Sequence, residues 1–180
     1  CYKFLKEYDD AIDSFRTANS ILQNEKSFIE LGEIYELQGE TQEALDIYLE
    51  GMSVFPECTE LLTKVGLLYI TLNDAGQAVL HLGNALAYDP KYADAILATG
   101  SIMQSNGDYD VALIKYRVAI TQTPHSAQLS NNIGMCFFGK SKLIAAAACL
   151  KRAIYLSPFE APINYNLGVV LMQIGQFASA

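Results

Sequence analysis

Hydrophobic residues stand four positions apart at Leu31 and Tyr35, Val65 and Tyr69, Ile133 and Phe137, and Leu167 and Leu171, with Thr99 and Met103 in the same register. That spacing puts each pair on one face of an α-helix. A second pattern alternates with the first, a small residue, then a large one four later, then a small one three further on. It reads Ala44, Tyr48, Gly51, then Ala78, Leu82, Ala85, then Ala112, Tyr116, Ala119, then Ala146, Leu150, Ala153. Ala11, Phe15 and Ala18 form an earlier copy, which places a one-residue deletion in the Leu22 to Asn24 loop. Together the patterns predict a first and a second helix packed antiparallel, and many copies of the pair.

Gly32, Gly66, Gly100, Gly134 and Gly168 fall 34 residues apart, and Pro56, Pro90, Pro124 and Pro158 share that spacing. With first helices starting at Glu25, Thr59, Ala93, Ala127 and Ala161, the glycine is eighth. Two helices cross closely there, and a side chain would hold them apart. Glycine inside a helix costs about 1 kcal/mol relative to alanine, so its recurrence implies a packing role. Positions seven and eleven are expected to form the face that the second helix covers. Position fifteen reads Gly39, Asn73, Gly107, Ser141 and Gly175, mostly residues that accept the left-handed backbone closing a helix before a tight turn. Proline after each second helix stops it.

This period, with its small and large positions, resembles the tetratricopeptide repeat over nearly the whole chain. The resemblance implies an all-α fold, a right-handed superhelical solenoid of antiparallel helix pairs. The expected layout is a single array over 1–180, with a partial repeat at 1–24, complete repeats at 25–58, 59–92, 93–126 and 127–160, and a partial repeat at 161–180. The first helix of the opening partial repeat is expected at Cys1 to about Leu5, and the last second helix is expected to start at Phe177 to Ala180. Both ends cut through a helical pair, so the parent chain is expected to continue both ways.

Composition narrows the function. The chain has 180 residues, 20 acidic and 12 basic, for a net charge of -8, which makes nucleic acid an unsuitable partner. Hydrophobic residues make up 51%, enough for a continuous core. Polar residues interrupt the uncharged stretch from Ala161 to Ala180, so no transmembrane segment is expected, and at most a peripheral membrane contact through a complex. The cysteines Cys1, Cys58, Cys136 and Cys149 show no CxxC pair, and a reducing compartment is expected. His81 and His125 lack partners at metal spacing, and no GxGxxG, GxxxxGK or GxSxG run occurs. No catalytic, cofactor or metal site is therefore expected, and binding remains.

In the tetratricopeptide family the first helices line a concave groove with positions two, five, six, nine, twelve and thirteen. Carried onto this chain, the groove residues include Glu30, Glu33 and Lys64 early, and Asn131, Asn132, Met135, Phe138, Tyr165 and Asn166 late, with Ile29, Thr63 and Ala98 among the rest. An extended peptide segment is the expected occupant, because amides at position six, Asn132 and Asn166, can both donate to and accept from its backbone. The alternative for these asparagines is an ordinary solvated helix face. Sites equivalent to the family's carboxylate clamp do not match, since Ile29, Glu33, Asp94 and Ala98 occupy them. Lys140, Lys142, Lys151 and Arg152 form a possible basic docking patch for acidic protein or lipid headgroups, or else a solvated face. Charge is graded: Cys1 to Glu60 carries 14 acids against 4 bases, and the remainder 6 against 8.

Thr59 to Pro90, Asp108 to Ile120 and Asn131 to Phe159 hold residues such as HLGNALAYDP and GMCFFGK that the repeat leaves free. They resemble tetratricopeptide subunits of the BBSome, a coat that carries membrane proteins into and out of cilia. That resemblance implies a non-enzymatic scaffold in the cytoplasm, at centriolar satellites, the centrosome or basal body, and the cilium. The implied partners are other BBSome subunits and a pericentriolar scaffold protein. A substrate-recognition array of a larger enzyme, such as a glycosyltransferase, is the alternative suggested by Asn131, Asn132 and Asn166.

Overall fold

The computed structural model of this chain describes residues 8–175. The expected helix at Cys1 to Leu5 and the expected helix start at Phe177 to Ala180 lie outside the described residues. Ten helices and no strand occur among the described residues, and two compact units divide them, Cys1–Pro90 and Lys91–Ala180. The first unit holds α1 (Tyr8–Ile21), α2 (Glu25–Gln38), α3 (Thr41–Val54), α4 (Thr59–Thr71) and α5 (Ala75–Tyr88). The second holds α6 (Ala93–Ser105), α7 (Tyr109–Gln122), α8 (Ala127–Gly139), α9 (Leu143–Leu156) and α10 (Ala161–Ile174). Helices α2, α4, α6, α8 and α10 begin at the five positions that the 34-residue spacing sets.

Each pair closes through the same turn. Gly39, Asn73, Gly107, Ser141 and Gly175 have φ of 84°, 63°, 84°, 57° and 83°. After the first four of these, the next N–H reaches back to Tyr35, Tyr69, Met103 and Phe137 carbonyls at 2.8–2.9 Å. This is a Schellman closure, which satisfies carbonyls that a helix end leaves unpaired and turns the chain at once into the partner helix. The second helices end two residues before Pro56, Pro90, Pro124 and Pro158.

Within each pair the large residue of the second helix lies on the glycine of the first. A Cβ built on Gly66 would lie 2.6 Å from Leu82 Cγ, one on Gly134 2.9 Å from Leu150 Cγ, and one on Gly32 or Gly100 inside the rings of Tyr48 or Tyr116. The small residues Ala44, Ala78, Ala112 and Ala146 are wholly buried and let the helices come this close. The helix expected to meet Gly168 falls outside the described residues.

The core differs from the expected face in one respect. Position eleven is only half-buried at Tyr35, Tyr69, Met103 and Phe137, while position ten is buried throughout, at Ile34, Leu68, Ile102, Cys136 and Val170. Position three is buried as well at Leu61, Ala95, Leu129 and Ile163. Within each unit a first helix packs on its own partner and on the second helix of a pair that precedes it there, as α4 does on α5 and α3, and α8 on α9 and α7. Two contacts widen the buried stripe beyond the single i, i+4 row.

Candidate protein-binding face

The candidate groove residues lie on two faces, one in each unit. In the first, Glu33 on α2 and Lys64 on α4 form an ion pair at 2.9 Å, with Glu30 half-buried one turn before Glu33. Tyr48 reaches through from α3 and donates its hydroxyl to Glu36 at 2.5 Å. Burial first, and then the bond to Glu36 and the charges of Glu36, Glu33 and Glu60, push the Tyr48 phenol far above its ordinary range. It therefore remains a proton donor at any working pH. The resulting surface is acidic, with Lys64 held in the middle by Glu33.

In the second unit the asparagines meet. Asn166 Nδ2 on α10 donates to Asn131 Oδ1 on α8 at 2.9 Å, and Asn131 Nδ2 donates to Asn132 Oδ1 at 3.3 Å. Burial first, and then Cys136, drive the pKa of the nearby Tyr116 hydroxyl upward, while the Asn132 amide acts the other way. Tyr116 also points its hydroxyl to Gln104 Oε1 on α6 at 3.3 Å, and the Cys136 thiol approaches the same oxygen at 3.4 Å. Donors and acceptors run from Asn166 through Asn131 to Asn132, and separately from Tyr116 and Cys136 to Gln104. Burial pushes the Cys136 thiol up to about 11, so it stays protonated and unreactive. Gln104 stands at position twelve, a groove position of the repeat, whereas Tyr116 and Cys136 carry no peptide-binding signal in the sequence, because their only notable property there is packing.

Other candidates are placed differently. Tyr165 is exposed beside this relay, but Met135 and Phe138 are half-buried against the cluster of Ala146, Ala147, Leu150 and Val170. Ile29, Thr63 and Ala98 are buried, and Thr63 turns its hydroxyl back to the Thr59 carbonyl at 2.7 Å. These three were expected on the groove and belong to the packing, since neighbouring helices cover their side of the turn. The four basic residues of the possible patch do not form one cluster. Lys140 pairs with Asp110 at the α8–α9 turn beside Lys142, and holds the Asp110 carboxyl below its usual range. Arg152 donates to the Pro124 carbonyl at 2.8 Å, at the opposite end of α9. His81 stacks on Tyr69 with ring centroids 5.5 Å apart, and burial lowers its pKa. Among the described residues no three His, Cys, Asp or Glu side chains gather to hold a metal, and no helix is long and apolar enough to cross a membrane.

Comparison with known proteins places this geometry among relatives. Profiles described as tetratricopeptide repeat match residues 27–54 and 64–127, together more than half of the chain. The chain is 49% identical to BBSome complex member BBS4 of Bos taurus and 51% identical to that of Mus musculus, in each case over all 180 residues. It spans about a third, 35%, of the length of both relatives. Among solved structures, a chain of the APC/C hetero-tetramer Cut9-Hcn1 superposes with a TM-score of 0.85 at 16% identity, over 96% of this chain and 35% of that one. At that identity the likeness shows the fold alone.

Proposed function

The chain belongs to the tetratricopeptide-repeat family, and from that premise we propose that it acts as a non-enzymatic protein–protein scaffold within the BBSome. The observation that carries this reading is the 49–51% identity over the full 180 residues to two proteins named as BBSome members. Identity of that extent covers surface positions as well as the glycines and alanines that the repeat itself demands. Through this membership the parent protein serves in ciliary membrane-protein trafficking and ciliogenesis. It works from the cytoplasm, centriolar satellites, the centrosome and the cilium, alongside other BBSome subunits and a pericentriolar scaffold protein.

The groove supports the reading chemically. Asn131, Asn132 and Asn166 form an ordered amide row beside the exposed Tyr165, and Glu30, Glu33 and Lys64 form a charged row on the other unit. The amides can bond the backbone of an extended partner segment, and the carboxylates of the other unit can meet a basic one. A recognition array of an enzyme would favour an unbroken asparagine row, and Lys64 and Ala98 occupy position six in the middle repeats.

The test is co-expression of the full-length protein with affinity-tagged BBSome subunits. Wild type should co-elute with them, and an Asn131→Ala, Asn166→Ala variant with unchanged helical circular dichroism should be recovered in reduced amount. Failure of the folded wild type to co-elute contradicts the assignment. Full recovery of the variant removes the amide row from the interface.

A further inference from the structure

Along the solvent side of α9, Ile144, Ala148, Lys151 and Tyr155 follow one another at three- and four-residue steps, and all are exposed, Ile144 by 75% and Tyr155 by 87%. The turn after the helix adds Phe159, 97% exposed. A ring held wholly in water forfeits the gain of burial, and contiguous apolar surface of this kind marks interaction sites. The turn that carries it is braced. Asn164 Nδ2 donates to the Pro158 carbonyl at 2.9 Å and to the Glu160 carbonyl at 3.1 Å, on either side of Phe159. A ring mounted on a fixed backbone loses less freedom when a partner covers it.

The openness of this face belongs to the repeat. On α7, with α8 and α9 already following it, the equivalent residues are Asp110, Ile114, Arg117, Thr121 and His125, and every one is exposed. A further helix pair packed after α10 would leave the α9 face equally open. What distinguishes α9 is composition. Where α7 carries Asp110, Thr121 and His125, α9 and its turn carry Ile144, Tyr155 and Phe159.

Charge identifies the occupant. Lys151 and Arg152 are the only charged residues of α9, Lys142 precedes it, and the helix holds no carboxylate. Lys151 sits within the apolar row, between Ala148 and Tyr155. We propose that this face docks an acidic amphipathic helix of a partner protein, with its apolar side on Ile144, Ala148, Tyr155 and Phe159 and a carboxylate on Lys151. Helix-on-face recognition through anchors at these intervals is a common mode, and the lysine fixes register and sign. The surface is separate from the amide row and stands whether or not the BBSome assignment does.

The experiment uses the full-length protein and three probes. They are a fluorescein-labelled peptide helix with leucine on one face and glutamate on the other, its lysine-for-glutamate copy, and phosphatidylserine vesicles. Anisotropy should show saturable binding of the glutamate peptide alone. Tyr155→Ser with Phe159→Ser, and separately Lys151→Glu, should each weaken it on the order of tenfold, and Lys151→Glu should gain the lysine peptide. All three side chains are exposed, so the melting temperature should not move. No binding by the parent, or undiminished binding by the double variant, overturns the proposal. Vesicle binding in place of peptide binding overturns it in favour of a membrane.

Discussion

A methyl group on Gly100 would lie 2.7 Å from Cζ and 3.0 Å from Cδ1 of Tyr116, whereas one on Gly83 meets nothing within 4 Å. Both glycines are inside helices, so their replacement by alanine separates packing from propensity. Gly100→Ala should destabilise by about 1–3 kcal/mol, because a buried ring in a close-packed pair has nowhere to move. Gly83→Ala should stabilise by up to about 1 kcal/mol. Urea melts of the two variants that shift in the same direction would contradict the helix register. The role of Gly100 was legible in the sequence at 34-residue spacing, and Gly83 lies outside that series. The bond between Tyr116 and Gln104 was not, since no pattern ties residues on α7 and α6 until the helices meet.

At the scale of the helix pair, the turns were legible because few residues accept a positive φ, and glycine holds three of the five positions. Ser141 is an L-residue at φ 57°, and a left-handed backbone costs such a residue roughly 1–2 kcal/mol. Ser141→Gly should therefore raise stability by about 0.5–1 kcal/mol, after glycine's larger unfolded-state entropy is set against the relieved strain. A lower midpoint in thermal melting would show that the Ser141 conformation costs nothing. Burial at this scale was only partly legible. Position eight could be read from its fixed residue type, but positions three and ten are buried by helices of the adjacent pair. The closing-over of Ile29 and Thr63 has the same cause. A periodic pattern read along one helix reports the face it shares with one neighbour, and these first helices have more than one.

Over the whole molecule, Cys1–Pro90 holds 16 acids and 5 bases, net -11, and Lys91–Ala180 holds 4 and 7, net +3, which together give the chain's -8. The two compact units thus carry opposite net charge, and each attracts partner surface of the opposite sign. Charge counts were legible directly. Pairings such as Lys64 with Glu33, which neutralise part of the apparent field, were not, because they join residues 31 positions apart. The BBSome reading is of a different kind, since it rests on residues the repeat does not require. The direct measurement is to exchange the matching segment of mouse BBS4 for these 180 residues and weigh the reconstituted complex by mass photometry. Recovery of a complex with the mass of the complete BBSome is the predicted result. A folded, soluble chimera left out of the complex would contradict the account.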